Sequence, residues 1–385
     1  MRAVIDARPA LDPRRTGVGH YTQQLIRHLP YADPSNDFVA WYLHAKGLFR
    51  PRSFFSGVHA RNLTEKASRF PARVFGAMSS RLGVPRVEWS VEFDVLLATN
   101  FLPPATHSSG VVMVVHDLAY ERLPETAPHM DDRWRRRFDE WLQRAAGVLV
   151  PSRSTKHDLL EAHDIDEARV HVTPLGVDMG AFAPAPLEAV DAVRRKYGVD
   201  QPYALFVGGI EPRKNLDALV RAFATIEPGT RLVVAGGPVR WDPKAADRLE
   251  GVIAQLPAAA RARIVRTGYI SDREKVALMT GATMLAYPSL YEGFGFPVLE
   301  GFAAGLPVLT SDVSSLPEVS GDAAIAVDPR DEHAIAEAMT QLFDDPDLRA
   351  MLSAAGLTRA TRFTWEATAR VTATALRAAY EVARG

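Results

Sequence analysis

Two glutamates eight positions apart (300 − 292) bracket a glycine turn in Glu292-Gly-Phe-Gly-Phe-Pro-Val-Leu-Glu300. The apolar run Ala282-Thr-Met-Leu-Ala-Tyr287 precedes the turn, and a helical pattern over 297–304 follows it. A strand that feeds a glycine turn and then a helix start can hold a phosphate, because the first N–H groups of a helix lack partners within it. The expected donors are the amides of Phe294, Gly295 and Phe296. Pro297 has no N–H but suits the first helical turn. Val298 and Leu299 are expected to restore donors just inside the helix. Glu300 lies too deep for phosphates and would repel them, so it is better placed to accept from ribose hydroxyls. Glu292, ahead of the helix, is expected to face a sugar. Singly, each carboxylate is as well explained by a turn or by the helix dipole. The combination argues for the donor site of a sugar-transferring enzyme.

Further candidates sit where apolar runs end. Ala204-Leu-Phe-Val207 leads into Gly208-Gly-Ile-Glu-Pro-Arg-Lys-Asn-Leu216, where Arg213 and Lys214 would reach a diphosphate. Arg grips such a group as a planar fork and Lys as a point charge. Two cations at a helix start oppose its dipole, which argues against an idle role. His116 and Asp117 follow Val111-Val-Met-Val-Val115, a place suited to proton handling or to hydrogen-bonding a sugar. Gly17-Val-Gly19 could let backbone approach an acceptor or phosphate, with Arg15, His20 and Tyr21 beside it. Ser152 and Ser154 read as a turn and helix cap, and Gly236-Gly237 as a turn.

These positions require a scaffold of alternating strands and helices. The chain has 385 residues, enough for two domains. A hydrophobic fraction of 47 % and a charged fraction of 24 % suit a globular protein. A net charge of −1 gives no footing for nucleic acid. The absence of cysteine excludes disulfides, thiolate metal sites and a cysteine nucleophile. No leader pattern and no apolar run of membrane-spanning length is visible, so a cytoplasmic location is expected.

Apolar runs at 3–6, 38–43, 95–98, 111–115, 148–150 and 170–172 alternate with helical patterns, notably 131–146 and 155–163. The alternation restarts at 204–207 and continues through 232–235, 264–265, 284–286, 308–310 and 324–327. This predicts an α/β fold of two doubly wound, Rossmann-like domains with parallel sheets. The first is expected over 1–180 and the second over 200–364, with a linker at 181–199. A last helix over 365–383 has Thr364 as its N-cap. The helix at 131–146 carries Arg133, Arg135, Arg136 and Arg137 beside Trp134, Phe138 and Trp141, and is expected to pack its aromatics. The irregular basic stretch 61–86, with Arg61, Lys66, Arg69, Arg73, Arg81 and Arg86, is the better candidate for a membrane or acceptor contact.

Over essentially its whole length the chain resembles the retaining glycosyltransferases of family 4, with the GT-B fold. The strongest parts are Glu292-Gly-Phe-Gly-Phe-Pro-Val-Leu-Glu300, which is similar to that family's E-x7-E signature, and Gly305-Leu-Pro-Val-Leu-Thr310 after it. Glu211-Pro-Arg-Lys-Asn215, Thr267-Gly-Tyr-Ile270 and Ser315-Leu-Pro-Glu318 resemble the branch of bacterial O-antigen-type mannosyltransferases. The resemblance implies two domains facing a cleft, with the acceptor in the first and the nucleotide-sugar in the second. It implies a C-terminal helix, 365–385, that returns to the first domain.

By the same resemblance Arg213 and Lys214 hold the diphosphate beside the Phe294, Gly295 and Phe296 amides. Glu292 positions the sugar, Glu300 holds the ribose, and His116 lies near the transferred sugar. Gly17 and Gly19 match the first glycine loop only loosely, and Tyr269 and Ile270 fall near the base. Some relatives carry an Arg where this chain has Gly208 or Gly209, so one phosphate contact is either missing or supplied by Arg213. No Asp-x-Asp metal motif stands where a metal-dependent transferase would need it. The implied reaction is metal-independent and needs no cofactor. It moves a hexose with retention, mannose from GDP-mannose, to a glycan, glycolipid or lipid-linked acceptor in polysaccharide biosynthesis at the inner membrane face. A UDP-sugar-dependent glucosyl or N-acetylglucosaminyl transferase, or a sugar-nucleotide epimerase, are the alternatives. A dinucleotide-binding oxidoreductase lacks its G-x-G-x-x-G motif here.

Overall fold

The structure, a computed structural model, describes residues 1–11, 16–43, 55, 57–68, 75, 78, 82–127 and 130–384. Its apolar runs form two sheets in which every recorded strand pair is parallel. The first holds β1 (Arg2–Asp6), β2 (Asp37–Leu43), β3 (Leu63–Ser68), β4 (Val95–Ala98), β5 (Val111–Val114), β6 (Gly147–Val150) and β7 (Val170–Val172), in the order β3-β2-β1-β4-β5-β6-β7. The second holds β8 (Tyr203–Val207), β9 (Arg231–Ala235), β10 (Ile264–Gly268), β11 (Met284–Tyr287), β12 (Val308–Ser311) and β13 (Ile325–Val327), in the order β10-β9-β8-β11-β12-β13. The central strands β4, β5, β6, β8, β11 and β12 are buried at every residue, which is why they read as unbroken apolar runs. In each sheet the strand order reverses beside the first strand, between β1 and β4 and between β8 and β11. Such a switch point is where doubly wound sheets bind ligands.

One strand lay hidden in the stretch read as irregular. β3, Leu63-Thr-Glu-Lys-Ala-Ser68, pairs with β2 from Phe38↔Leu63 to Leu43↔Ser68 at the sheet edge. Edge strands carry charge to discourage further pairing, which erased the apolar signal. Arg69, Arg73 and Arg81 of the basic stretch lie outside the described residues.

The chain divides into two compact units. One comprises Met1–Leu118, Met130–Gly176 and Thr364–Gly385; the other comprises Ala119–His129 and Val177–Phe363. The break after Gly176 corrects the expected linker at 181–199. There the helix Leu187–Tyr197 packs on Asp272–Gly281 in the second unit, and Lys196 and Tyr197 both donate to Glu274. The Pro/Ala composition before that helix marked a turn and helix start, not a tether.

The last helix, Trp365–Arg384, packs on Gly17–Ala32 within the first unit. Thr364 Oγ1 accepts from Ala367 N (3.2 Å), the expected cap. Tyr21, Leu25, Ile26 and Leu29 line the buried face of the Gly17–Ala32 helix. In Asp132–Arg144 the Trp134 and Phe138 rings stack at 5.3 Å, and Phe138, Trp141 and Leu142 are buried, so this helix packs its aromatics as expected.

Candidate active site

In the second unit, the turns after β8 and β11 meet at the switch point. After β8 the chain makes a 3-10 turn, Pro212–Lys214, and Asn215 takes a left-handed conformation (φ 58°) before the helix Leu216–Ala224. Asn215 Nδ2 donates to Pro288 O (3.0 Å) and Pro329 O (2.6 Å), and Leu290 N donates to Arg213 O (2.8 Å). These bonds tie the two turns together.

The tie sets an ion cluster. Arg213 Nη1 pairs with Glu292 Oε2 at 2.6 Å, and Arg213 Nη2 with Glu211 Oε1 at 3.0 Å. Lys214 Nζ lies 3.5 Å from the same Glu211 oxygen and 5.8 Å from the Tyr287 ring centroid. Arg213, Lys214 and Glu292 thus come together as expected. Glu211 joins them, though the sequence reading gave it no role of its own. Its signal was there: an acid two positions before the Arg, in the same turn.

Glu292 is more engaged than a residue that only faces a sugar. Its Oε1 accepts from Tyr287 Oη (2.6 Å) and Ser289 Oγ (3.1 Å). Its backbone is pinned by Ser314 Oγ and Ser315 Oγ. Burial works against ionising this carboxyl, but Arg213, Lys214 and the Tyr287 hydrogen bond outweigh it and hold its pKa below the ordinary value. Burial, and then the Glu292 charge, push the Tyr287 hydroxyl well above its ordinary pKa, so it stays a donor. Glu292 therefore anchors Arg213 with four of its own neighbours in place.

The helix Phe296–Ala303 starts from Gly295, whose φ of 104° is left-handed. A side chain there would also put its Cβ 2.7 Å from Leu316 Cδ2, so glycine is required twice over. The expected donors need one correction. Val298 N and Leu299 N both donate to Gly295 O (3.0 and 3.3 Å), so those two amides are spent closing the first turn. Phe294, Gly295 and Phe296 stand at the turn into this helix, with Gly295 as its N-cap. The Phe294 ring is buried against Phe296 and Phe363, which fixes the backbone there.

Glu300, in the second turn of that helix, is paired with Lys275 at 2.7 Å. Tyr269 and Ile270 follow Gly268 at the end of β10, and Tyr269 is 68 % exposed. Gly208 leaves room for Lys214: a Cβ on it would meet Lys214 Nζ at 2.8 Å. A side chain at this position would therefore displace the lysine.

The first unit carries its own constellation at the ends of β1, β4 and β5. His116 Nε2 bonds Thr99 O (2.8 Å), and Thr99 Oγ1 donates to Asp6 O (2.7 Å). A carbonyl partner assigns the proton to Nε2 and leaves Nδ1 as an acceptor. Burial lowers the pKa of His116, with Thr99 O and Asp117 offsetting only part, so the ring is neutral near pH 7. The rings of Tyr21 and Phe101 meet it edge-on at 5.2 and 5.8 Å. The Asp6 carboxylate is held by Arg8 Nε and Nη2 (2.7 and 2.6 Å), a pair the sequence reading passed over.

Gly17 is the first residue of its helix and Thr16 Oγ1 caps it by accepting from Gly19 N (3.2 Å). Gly19 has a packing reason, since a Cβ on it would lie 2.8 Å from Pro9 O. The two glycines thus build the helix start, and Arg15 lies outside the described residues.

Two doubly wound units with ion-lined strand ends define a GT-B fold of the glycosyltransferase class. The chain belongs to the group 1 glycosyl transferases, whose family description matches residues 147–359. Residues 15–180 match glycosyltransferase family 4. The chain is 28 % identical over 370 residues to O-antigen chain mannosyltransferase B of Escherichia coli, covering 91 % of this chain and 93 % of that protein. It is 31 % identical over 305 residues to D-inositol 3-phosphate glycosyltransferase of Kineococcus radiotolerans, covering 72 % of this chain and 66 % of that one. Among solved structures, Anabaena HepE in complex with UDP and glucose superposes with a TM-score of 0.73 at 17 % identity, covering 98 % of this chain and 99 % of that one. That likeness establishes the fold.

Proposed function

We propose that this glycosyltransferase moves a hexose, mannose from GDP-mannose, onto a glycan, glycolipid or lipid-linked acceptor with retention of anomeric configuration and without a metal. The donor falls to the second unit and the acceptor to the first. The observation that carries the reading is the Arg213–Glu292 pair, set at the β8/β11 switch point beside the Gly295 helix start. Arg213, Lys214 and the Phe294–Phe296 amides supply positive potential where the departing diphosphate gains charge. The bond from the anomeric carbon to the phosphate oxygen breaks. The acceptor oxygen bonds that carbon on the same face, and its proton passes to the leaving phosphate. Glu292 positions the sugar and Arg213 without forming a covalent adduct. The Escherichia coli mannosyltransferase, similar along nearly its whole length, supports mannose. A UDP-sugar donor is the second reading, favoured by the fold's likeness to a protein solved with UDP and glucose.

A thermal-shift panel of GDP, UDP and ADP separates the two, since ligand at 100 times its dissociation constant stabilises by about 2.7 kcal/mol. A shift with GDP alone supports the first reading and a shift with UDP alone the second. Proton NMR of the product then reads the anomeric configuration, and inversion would overturn the proposed mechanism.

A further inference from the structure

The Glu300 carboxylate has a partner that the sequence pattern did not point to. Lys275 Nζ donates to Glu300 Oε1 at 2.7 Å, with the two side chains only 19 % and 13 % exposed. Lys275 is the fourth residue of the helix Asp272–Gly281, where a cation opposes the helix dipole. Its own helix therefore gives it no reason to be there. What holds it is Glu300 and the ring of buried Phe182, whose centroid lies 5.0 Å from Nζ.

The helix that carries Lys275 is fixed at its start. Ser271 and Glu274 form a reciprocal capping box, and hydrogen bonds from Lys196 and Ser271 pull the Glu274 pKa down to about 2. The cap follows Tyr269-Ile270 directly, so one turn of rigid helix joins that loop to Glu300.

We infer that Lys275 is a positioning residue for the nucleotide ribose, acting through Glu300. This rests on the assignment of Glu300 to the ribose. A carboxylate offers about four lone-pair sites. Lys275 occupies one on Oε1, which leaves room for both the 2′- and 3′-hydroxyls to donate. A ribose laid over Glu300 removes water from a charge, and an unpaired carboxylate would resist that. Lys275 keeps the charge compensated and the carboxylate aimed while the sugar covers it.

The test is calorimetric titration of the full chain with GDP and UDP and with their 2′,3′-dideoxy analogues. The variants are Lys275→Met, which keeps the stem against Phe182, Lys275→Arg, Glu300→Gln and the Lys275→Met/Glu300→Gln double. Lys275→Met is expected to weaken the ribonucleotide about tenfold, the scale of a lost hydrogen bond to a charged group. It should leave the dideoxy analogue within about twofold, and Lys275→Arg should recover most of the loss. The double variant should bind no more weakly than Glu300→Gln alone. Equal weakening of both nucleotides would mean a structural role and overturn the inference, as would no weakening of either. Wild-type protein that binds ribo and dideoxy forms alike removes Glu300 from the ribose, and the inference with it. Wild-type protein that binds neither diphosphate overturns the donor-site reading itself, a separate outcome.

Discussion

At the residue scale the candidate chemistry depends on carboxylates that are already occupied. Glu292 was legible as a candidate because an acid ahead of a glycine turn and helix start has few structural duties. Its hold on Arg213 was not legible, because the two lie 79 positions apart (292 − 213) and meet only through strand pairing across the switch point. Glu292→Gln keeps the shape but removes the charge that anchors Arg213. It is expected to lower kcat/KM about a hundredfold, comparable to losing one preorganised electrostatic contact. Steady-state transfer assays check this, and unchanged transfer would remove Glu292 from the site.

His116 gives a pH-dependent counterpart in the first unit. Its pKa in the folded chain lies below the ordinary 6.5, mainly because burial disfavours the imidazolium. Unfolded chain therefore takes up a proton near pH 6.5 that folded chain still refuses. The stability His116 contributes is present above that pH and is lost as pH falls through the folded-state value. Thermal melts from pH 7.5 to 5 should show wild type losing stability below about 6.5, with His116→Gln flatter across the same window.

At the element scale, strands buried on both faces announced themselves, and the edge strand that did not was the charged β3. β5, all valine and methionine, could be little else, whereas β3 carries Glu65 and Lys66 on an outer edge and its apolar pattern is broken. The helix starts show the same division. Thr364 was readable as a cap because capping is local chemistry. The fate of the Val298 and Leu299 amides was not, because it depends on how tightly the first turn closes on Gly295. That closure makes Gly295 the most exacting position of the element. Gly295→Ala must hold φ near 104° and push into Leu316, so it is expected to cost at least about 1 kcal/mol. Chemical denaturation would register this as a lower midpoint with an unchanged slope, while a variant as stable as wild type would mean the turn relaxes freely.

At the scale of the whole molecule, the repeated alternation was enough to show two doubly wound units, but the points where the chain changes unit were not. Composition suggested a linker at the Pro/Ala stretch, yet the chain leaves the first unit after Gly176 and returns at Thr364. Glycine at 176 has a reason visible only in three dimensions: a Cβ there would fall 2.3 Å from Trp365 N. The returning helix then buries Trp365, Ala369, Ala373 and Leu376 in the first unit, with Thr368 Oγ1 donating to Pro174 O (2.6 Å). Burying a large apolar side chain is worth roughly 1.5–3 kcal/mol, so Trp365 and Leu376 alone matter to a domain of ordinary marginal stability. The main packing partners of this helix, Gly17–Ala32 and β4 to β7, all belong to the first unit. Deleting 365–385 should therefore lower one calorimetric transition by many degrees and leave the other in place. The donor nucleotide, whose proposed residues all lie in the second unit, should raise only the transition that the deletion spares. If both transitions fall together on truncation, the two units do not unfold independently. If nucleotide raises the transition that truncation weakens, the donor belongs to the first unit.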